Sequence, residues 1–211
     1  MIQISNINKT FNKTTSVKVL NNTSLRFDRG NIYGLNGNNG SGKTTLLKII
    51  AGLLLQDEGD ILLDSDLDAK EIKYVNNNPR SFNNRLTAKE NLQYFYAISS
   101  GKSLDSTFFS SQLISELGIK NKINEKVSGF SDGELRKLSF LRSFAQNPKF
   151  YLIDEAFSSI DSKSCEIILR NIRSLINDNK CYGAVIVSHD LNFLNDSSNK
   201  VFKLKIGRAH V

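Results

Sequence analysis

The sequence predicts an α/β protein built on a mostly parallel sheet covered by helices. Three observations predict it. Short apolar runs that read as strands alternate with segments of helical apolar spacing. A glycine-rich stretch joins one such strand directly to a helix, and the middle of the chain turns to helices alone. Alternation of this kind places helices on both faces of a sheet whose strands run parallel.

The elements follow in order. Gln3-Ile4 reads as a first strand, and residues 17–27 read as strand about a polar turn at Asn21-Asn22. Residues 31–35 form a short apolar strand. Residues 42–54 carry Leu46, Leu47, Ile49, Ile50 and Leu53 at helical spacing. Asp57-Glu58-Gly59 reads as a turn into strand 60–63, and residues 72–75 as a further strand. Asn76-Asn77-Asn78-Pro79 breaks the pattern, after which residues 88–98, 105–117 and 131–145 read as helices. Past Pro148 the alternation resumes with strand 150–153, helix 162–176 and strands 184–187 and 201–204. The expected organisation is a core of residues 1–75 and 147–205 with a helical insert at about 76–146.

Composition excludes several classes. Hydrophobic residues make up 39% and charged residues 23% of 211, which suits one globular domain and not a disordered chain. The longest apolar stretch, residues 46–55, is interrupted by Lys48 and Gly52, and a membrane span needs about 20 apolar residues. A buried helix is therefore expected there. No basic region followed by an apolar run opens the chain, so no secretory signal is expected. Cys165 and Cys181 match no metal spacing and read as reduced thiols of a cytosolic protein. The net charge of +7 is scattered along the chain, as on solvated faces, and no nucleic-acid partner is expected. The stretch Ile206-Gly207-Arg208-Ala209-His210-Val211 matches one reading frame of a common sequencing-library adapter. Residues 206–211 are therefore expected to be read-through, and Arg208 and His210 are given no functional weight.

Chemistry concentrates in two places. Gly37-Asn38-Asn39-Gly40-Ser41-Gly42-Lys43-Thr44 satisfies G-x-x-x-x-G-K-[ST] between an apolar strand and an apolar-periodic helix. Glycines allow backbone N–H groups to converge on β- and γ-phosphates, and the following helix aims its positive end at the same anion. Lys43 then neutralises phosphate charge and the Thr44 hydroxyl ligates Mg²⁺. The second place is Phe150-Tyr151-Leu152-Ile153-Asp154-Glu155, an apolar strand ending in two carboxylates. Asp154 is expected to hold Mg²⁺ through water, and Glu155 to polarise the attacking water as general base.

Between them lies Phe130-Ser131-Asp132-Gly133-Glu134, then Leu135-Arg136-Lys137-Leu138 and Asn147-Pro148. With these motifs in this order, residues 1–205 resemble the nucleotide-binding subunit of an ABC transporter. The resemblance implies a P-loop NTPase core with a mostly parallel sheet, an antiparallel N-terminal β subdomain and an inserted helical subdomain. It implies ATP hydrolysis with Mg²⁺, in a head-to-tail dimer with a second ATP-binding subunit, the same or different, beneath a transmembrane permease subunit. The chain would then sit in the cytoplasm, peripheral on the inner face of the cell membrane.

By the same resemblance Phe11 stacks on adenine, and Thr45 joins residues 37–44 in holding the nucleotide. Ser131, Gly133 and Glu134 reach the nucleotide held by the partner's loop. Ser159-Ile160-Asp161 couples the two sites, and His189 contacts the γ-phosphate. The segments Arg80-Ser81-Phe82, Arg85-Leu86-Thr87 and Glu90-Asn91-Leu92 resemble the part that touches the membrane partner.

Departures from the family pattern carry expectations of their own. Asn77, with Asn78 as an alternative, stands where a Gln reaching Mg²⁺ is usual, and Asp132 replaces a glycine. Asp132 brings negative charge towards ATP, which predicts slow hydrolysis or pairing with a different subunit. Ser131-x-x-Glu134 is also an ordinary helix capping box, so that reading stands beside the functional one. A soluble ABC ATPase acting on ribosomes or DNA is the alternative function. Only about ninety residues separate the phosphate loop from residue 131, a length suited to the short helical insert of transporters. A non-hydrolysing ATP sensor is disfavoured, because Lys43, Asp154 and Glu155 are all present.

Overall fold

The computed structural model describes residues 1–12, 16–76, 81–205 and 208–210. Strands β1 (Ile2–Asn12), β2 (Ser16–Phe27) and β4 (Glu58–Leu63) form an antiparallel sheet in the order β2-β1-β4. The second sheet runs β5-β6-β7-β3-β8-β9, from β3 (Asn31–Asn36), β5 (Ile72–Asn76), β6 (Phe150–Asp154), β7 (Gly183–Val187), β8 (Lys200–Lys205) and β9 (Arg208–His210). Its pairs β3–β7, β3–β8 and β6–β7 are parallel, and β8–β9 is antiparallel. Every residue of β6 and β7 is buried, as continuous apolar runs covered on both faces require. The helices are α1 (Lys43–Ile50), α2 (Ala88–Ser100), α3 (Ser106–Phe109), α4 (Gln112–Glu116), α5 (Asp132–Ala145), α6 (Ser162–Asn177) and α7 (Leu191–Ser197).

Packing divides the chain into two units. The first comprises Met1–Tyr74, Lys149–Glu155 and Leu175–Val211; the second comprises Val75–Pro148 and Ala156–Ser174. In the first unit both sheets share one core, with Ile2, Ile4 and Phe27 buried beside Leu46, Leu47 and Ile50 of α1 and Phe150 and Val185 of the second sheet. That shared core ties α1, and therefore the loop before it, to the strands that end beside it.

Local departures from expectation have physical reasons. Residues 21 and 22 lie inside a continuous strand β2 and make no turn. The β1–β2 register shifts between Ile7↔Thr23 and Lys9↔Leu20, so the two asparagines form a bulge. Asn22 adopts φ 50° there and donates its N–H to Asn8 Oδ1 at 3.0 Å; asparagine is the side-chain-bearing residue most tolerant of that conformation. Glu58 and Gly59 likewise belong to β4, beside a register shift in β1 between Ser5 and Asn8. The helix at 105–117 is two short ones, interrupted at Ser110 and Ser111; Ser110 returns its hydroxyl to the Thr107 carbonyl at 3.1 Å. Helix α1 stops at Ile50, leaving Leu53 and Leu55 exposed. Helix α7, capped by the Asp190 carboxylate on Phe193 N–H at 3.1 Å, spans only two turns, too few for an apolar period to show in the sequence.

Candidate functional site

Register places the first unit's polar residues along one edge. Leu35 of β3 and Asp154 of β6 both lie opposite Val187 of β7. The three strands are parallel, so their carboxyl ends deliver residues 37–44, Asp154-Glu155 and Ser188-His189 to the same edge, where open α/β sheets bind ligands. Cross-links fix these ends. Asn36 Nδ2 donates to the Ser188 carbonyl at 3.2 Å, and the Glu155 N–H donates to the Val187 carbonyl at 3.1 Å.

The loop at 37–44 is a tight cradle. Gly42 takes φ 95° and ends against β2, where a Cβ would lie 2.8 Å from Leu20 Cδ2 and 3.0 Å from the Val19 carbonyl oxygen. A Cβ on Gly37 would fall 2.3 Å from the Leu204 carbonyl oxygen and 2.6 Å from Ser41 Oγ. A side chain at Gly37 would move backbone, and one at Gly42 would be strained by its positive φ and crowd Leu20 and Val19. The Ser41 N–H closes the turn on the Asn38 carbonyl at 3.1 Å. Lys43, buried at 5% exposure, folds its ammonium back onto the carbonyls of Gly37 (2.7 Å) and Asn38 (3.1 Å). Burial pushes the Lys43 pKa below its usual value, with the charges of Glu155 and Asp154 opposing that shift. Asn38, Asn39, Gly40 and Thr44 are exposed, and Thr45 is half-buried.

The acidic pair divides its partners. Tyr74 of β5 donates its hydroxyl to Asp154 Oδ2 at 2.6 Å, and burial, followed by this bond, raises the tyrosine pKa. Asp154 Oδ1 and Ser41 Oγ are buried with no hydrogen-bond partner among the described residues. Glu155 stands at φ 55°, a left-handed backbone that costs a non-glycine residue about 1–2 kcal/mol, and meets His189 Nε2 through Oε1 at 2.7 Å. Phe11, half-buried in β1, pairs with Val17, two residues from the Val19 that packs on Gly42. The Lys9 ammonium lies 5.6 Å from the Phe11 ring centroid.

The second unit carries the other expected residues. Ser131 N-caps α5: its hydroxyl accepts from the Glu134 N–H at 3.3 Å, while Glu134 Oε2 accepts from the Ser131 N–H at 2.9 Å. Lys122 Nζ pairs with Glu134 Oε1 at 2.8 Å and, with the capping bonds, holds that carboxylate below its usual pKa. Gly133 backs onto the Ser159 carbonyl, 3.2 Å from where a Cβ would stand. Lys137 joins Asp161 at 2.7 Å, and Asp161 caps α6 through the Ser164 N–H at 2.9 Å. In the segment at 81–91, Arg142 bonds Ser81 Oγ at 2.8 Å and lies against the rings of Phe82 and Phe95, and Asn91 exchanges hydrogen bonds with Asn83 at 2.9 and 3.0 Å.

Of the expected site residues, Phe11, Gly37, Asn38, Asn39, Gly40, Ser41, Gly42, Lys43, Thr44, Thr45, Asp154, Glu155 and His189 lie in the first unit. Ser131, Gly133 and Glu134 lie in the second, and Asn77, with Asn78, falls outside the described residues. Tyr74, Lys122 and Lys137 went unassigned in the sequence. The available signal was a tyrosine inside an apolar strand, whose hydroxyl needs a partner once buried.

The ABC transporter family model matches residues 20–158. The chain is 33% identical over 183 residues to the energy-coupling factor transporter ATP-binding protein EcfA1 of Thermotoga maritima, covering 84% of this chain and 70% of that one. It is 30% identical over 188 residues to the ABC transporter ATP-binding protein NatA of Bacillus subtilis, covering 85% and 76%. Among solved structures, the dimeric bacterial ABC transporter cassette MJ0796 matches with a TM-score of 0.83 at 25% identity, covering 100% of this chain and 97% of that one. The chain belongs to the ABC transporter family and is one of its ATP-binding, ATP-hydrolysing subunits.

Proposed function

We propose that the chain binds Mg-ATP in the cradle of residues 37–45, with Phe11 against the adenine. Two such subunits would close head to tail, Ser131, Gly133 and Glu134 of each meeting the nucleotide held by the other. What supports this reading lies in one unit: Asp154 Oδ1 and Ser41 Oγ are buried without a partner among the described residues, and a lysine ammonium is lodged on the cradle's own carbonyls. A triphosphate draws that ammonium from carbonyl oxygens to anionic ones, a stronger charge-assisted bond. The donor set fits magnesium, a hard cation bound through one or two carboxylates plus substrate phosphates. Thr44 and Asp154 would hold it, with Asn77 as a further oxygen ligand. When bound, it supplies charge neutralisation at the phosphate oxygens.

Glu155 accepts the proton of the attacking water, and His189 holds the Glu155 carboxylate while reaching the γ-phosphate. A single ABC-type domain over residues 1–205, with its helical insert at about 76–146, carries this work to a transmembrane permease subunit. No described helix is long and apolar enough to cross a membrane, and a peripheral place on the inner membrane face fits such a subunit. Glu155→Gln tests the assignment. The variant is expected to retain Mg-ATP, to elute as a dimer with it, and to lose about 10²–10⁴-fold in phosphate release. Turnover equal to the parent's would refute Glu155 as the base.

A further inference from the structure

We infer that Tyr74 is the positioning residue of the metal-holding carboxylate: its hydroxyl occupies Asp154 Oδ2 and so reserves Oδ1 for the nucleotide-bound cation. The inference rests on the Mg-ATP reading above and adds to it a residue outside the motifs that carry that reading. Asp154 ends β6, and its neighbour β5 brings Tyr74 alongside. The two oxygens of the carboxylate are treated differently. Oδ2 accepts the tyrosine hydroxyl at 2.6 Å, a short charge-assisted bond; Oδ1 is buried and accepts nothing among the described residues. A buried carboxylate oxygen without a partner is costly unless a ligand completes it.

The tyrosine ring is half-buried, so the hydroxyl is held by packing as well as by its bond. Such an outer partner fixes the plane of the carboxylate and the direction of its remaining lone pairs, which is how second-layer groups tune metal affinity. A phenol suits the task. It donates one hydrogen bond, carries no charge at neutral pH, and cannot itself compete for magnesium as a carboxylate would.

The experiment uses the full chain and its Tyr74→Phe variant, which keeps the ring and removes the hydroxyl. ATP affinity is first measured in EDTA, and Mn²⁺ is then titrated into each ATP complex and followed by its electron paramagnetic resonance signal. The expected result is an unchanged ATP affinity in EDTA with Mn²⁺ affinity lowered about tenfold. Equal Mn²⁺ affinity in the two proteins overturns the role of Tyr74 and leaves the Mg-ATP reading standing. Loss of ATP affinity in EDTA, or an unfolding midpoint well below the parent's, overturns it also, because the hydroxyl then serves the fold. If the parent itself takes up no Mn²⁺ with ATP, the Mg-ATP reading falls and the inference with it.

Discussion

In the loop at 37–44 polar groups are left over, whereas at 130–134 they are used up. The loop keeps a buried serine hydroxyl without a partner among the described residues and a lysine ammonium resting on two carbonyls of its own backbone. In the segment at 130–134, Ser131 and Glu134 satisfy each other in a capping box, and Lys122 takes the remaining carboxylate oxygen. In the proposed reading the difference separates binding from shaping. A site that meets an anion first needs donors already desolvated and unspent. A segment that meets it second needs only a rigid helix end and one mobile proton, and the Ser131 hydroxyl keeps that proton while accepting from the Glu134 N–H. The capping reading of Ser131-x-x-Glu134 is met, and the proposed phosphate contact does not conflict with it.

The comparison can be broken most forcefully at Lys43. Lys43→Ala is expected to lower phosphate release by about 10²–10³-fold, since it removes a preorganised charge from the transferring phosphoryl group. A smaller loss than in any substitution at 131–134 would invert the assignment of roles. Gly37→Ala comes next. Its Cβ would stand 2.3 Å from the Leu204 carbonyl oxygen, so backbone must shift, and urea unfolding should show a loss of about 1–3 kcal/mol.

Asp132→Gly sharpens the other side. Relieved of a negative charge in the first turn of α5, turnover should rise severalfold. The unfolding midpoint should fall, because glycine weakens a helix and the acid favoured its N-terminus. Rate and stability moving in opposite directions mark the charge as a functional cost; a rate that stays level would clear Asp132.

The smallest effect belongs to Lys122. Glu134 titrates lower in the folded chain than unfolded, because Lys122 and the capping bonds favour its charged form. The pair therefore stabilises the fold above the ordinary glutamate range of about 4 and ceases to do so as pH falls through the depressed folded value. Lys122→Ala should melt slightly below the parent at pH 7, and the gap should shrink on acidification. A gap that grows towards low pH contradicts the pairing.

How far each feature could be read from the sequence follows the range of the contacts that make it. The cradle at 37–44 was legible because glycines, lysine and helix start lie within eight residues. The parallel sheet was legible because β6 and β7 are buried on both faces and appear as unbroken apolar runs. Asn21-Asn22 looked like a turn because asparagine pairs favour turns and bulges alike, and only the partner Asn8 decides for the bulge. Tyr74 was invisible as a site residue because its bond to Asp154 spans 80 positions. Lys122–Glu134 was hidden for the same reason on a smaller scale: the short helical turn at Lys120–Lys122 brings the ammonium back to the start of α5.

Isothermal calorimetry of the parent chain with Mg-ATP, beside Lys43→Ala under identical conditions, tests most directly whether glycine cradle and acidic pair serve one ligand. The expected record is a saturable heat of about one nucleotide per chain in the parent, weakened when magnesium is chelated and lost in the variant. A parent that evolves no heat, or a variant that binds as the parent does, would contradict it.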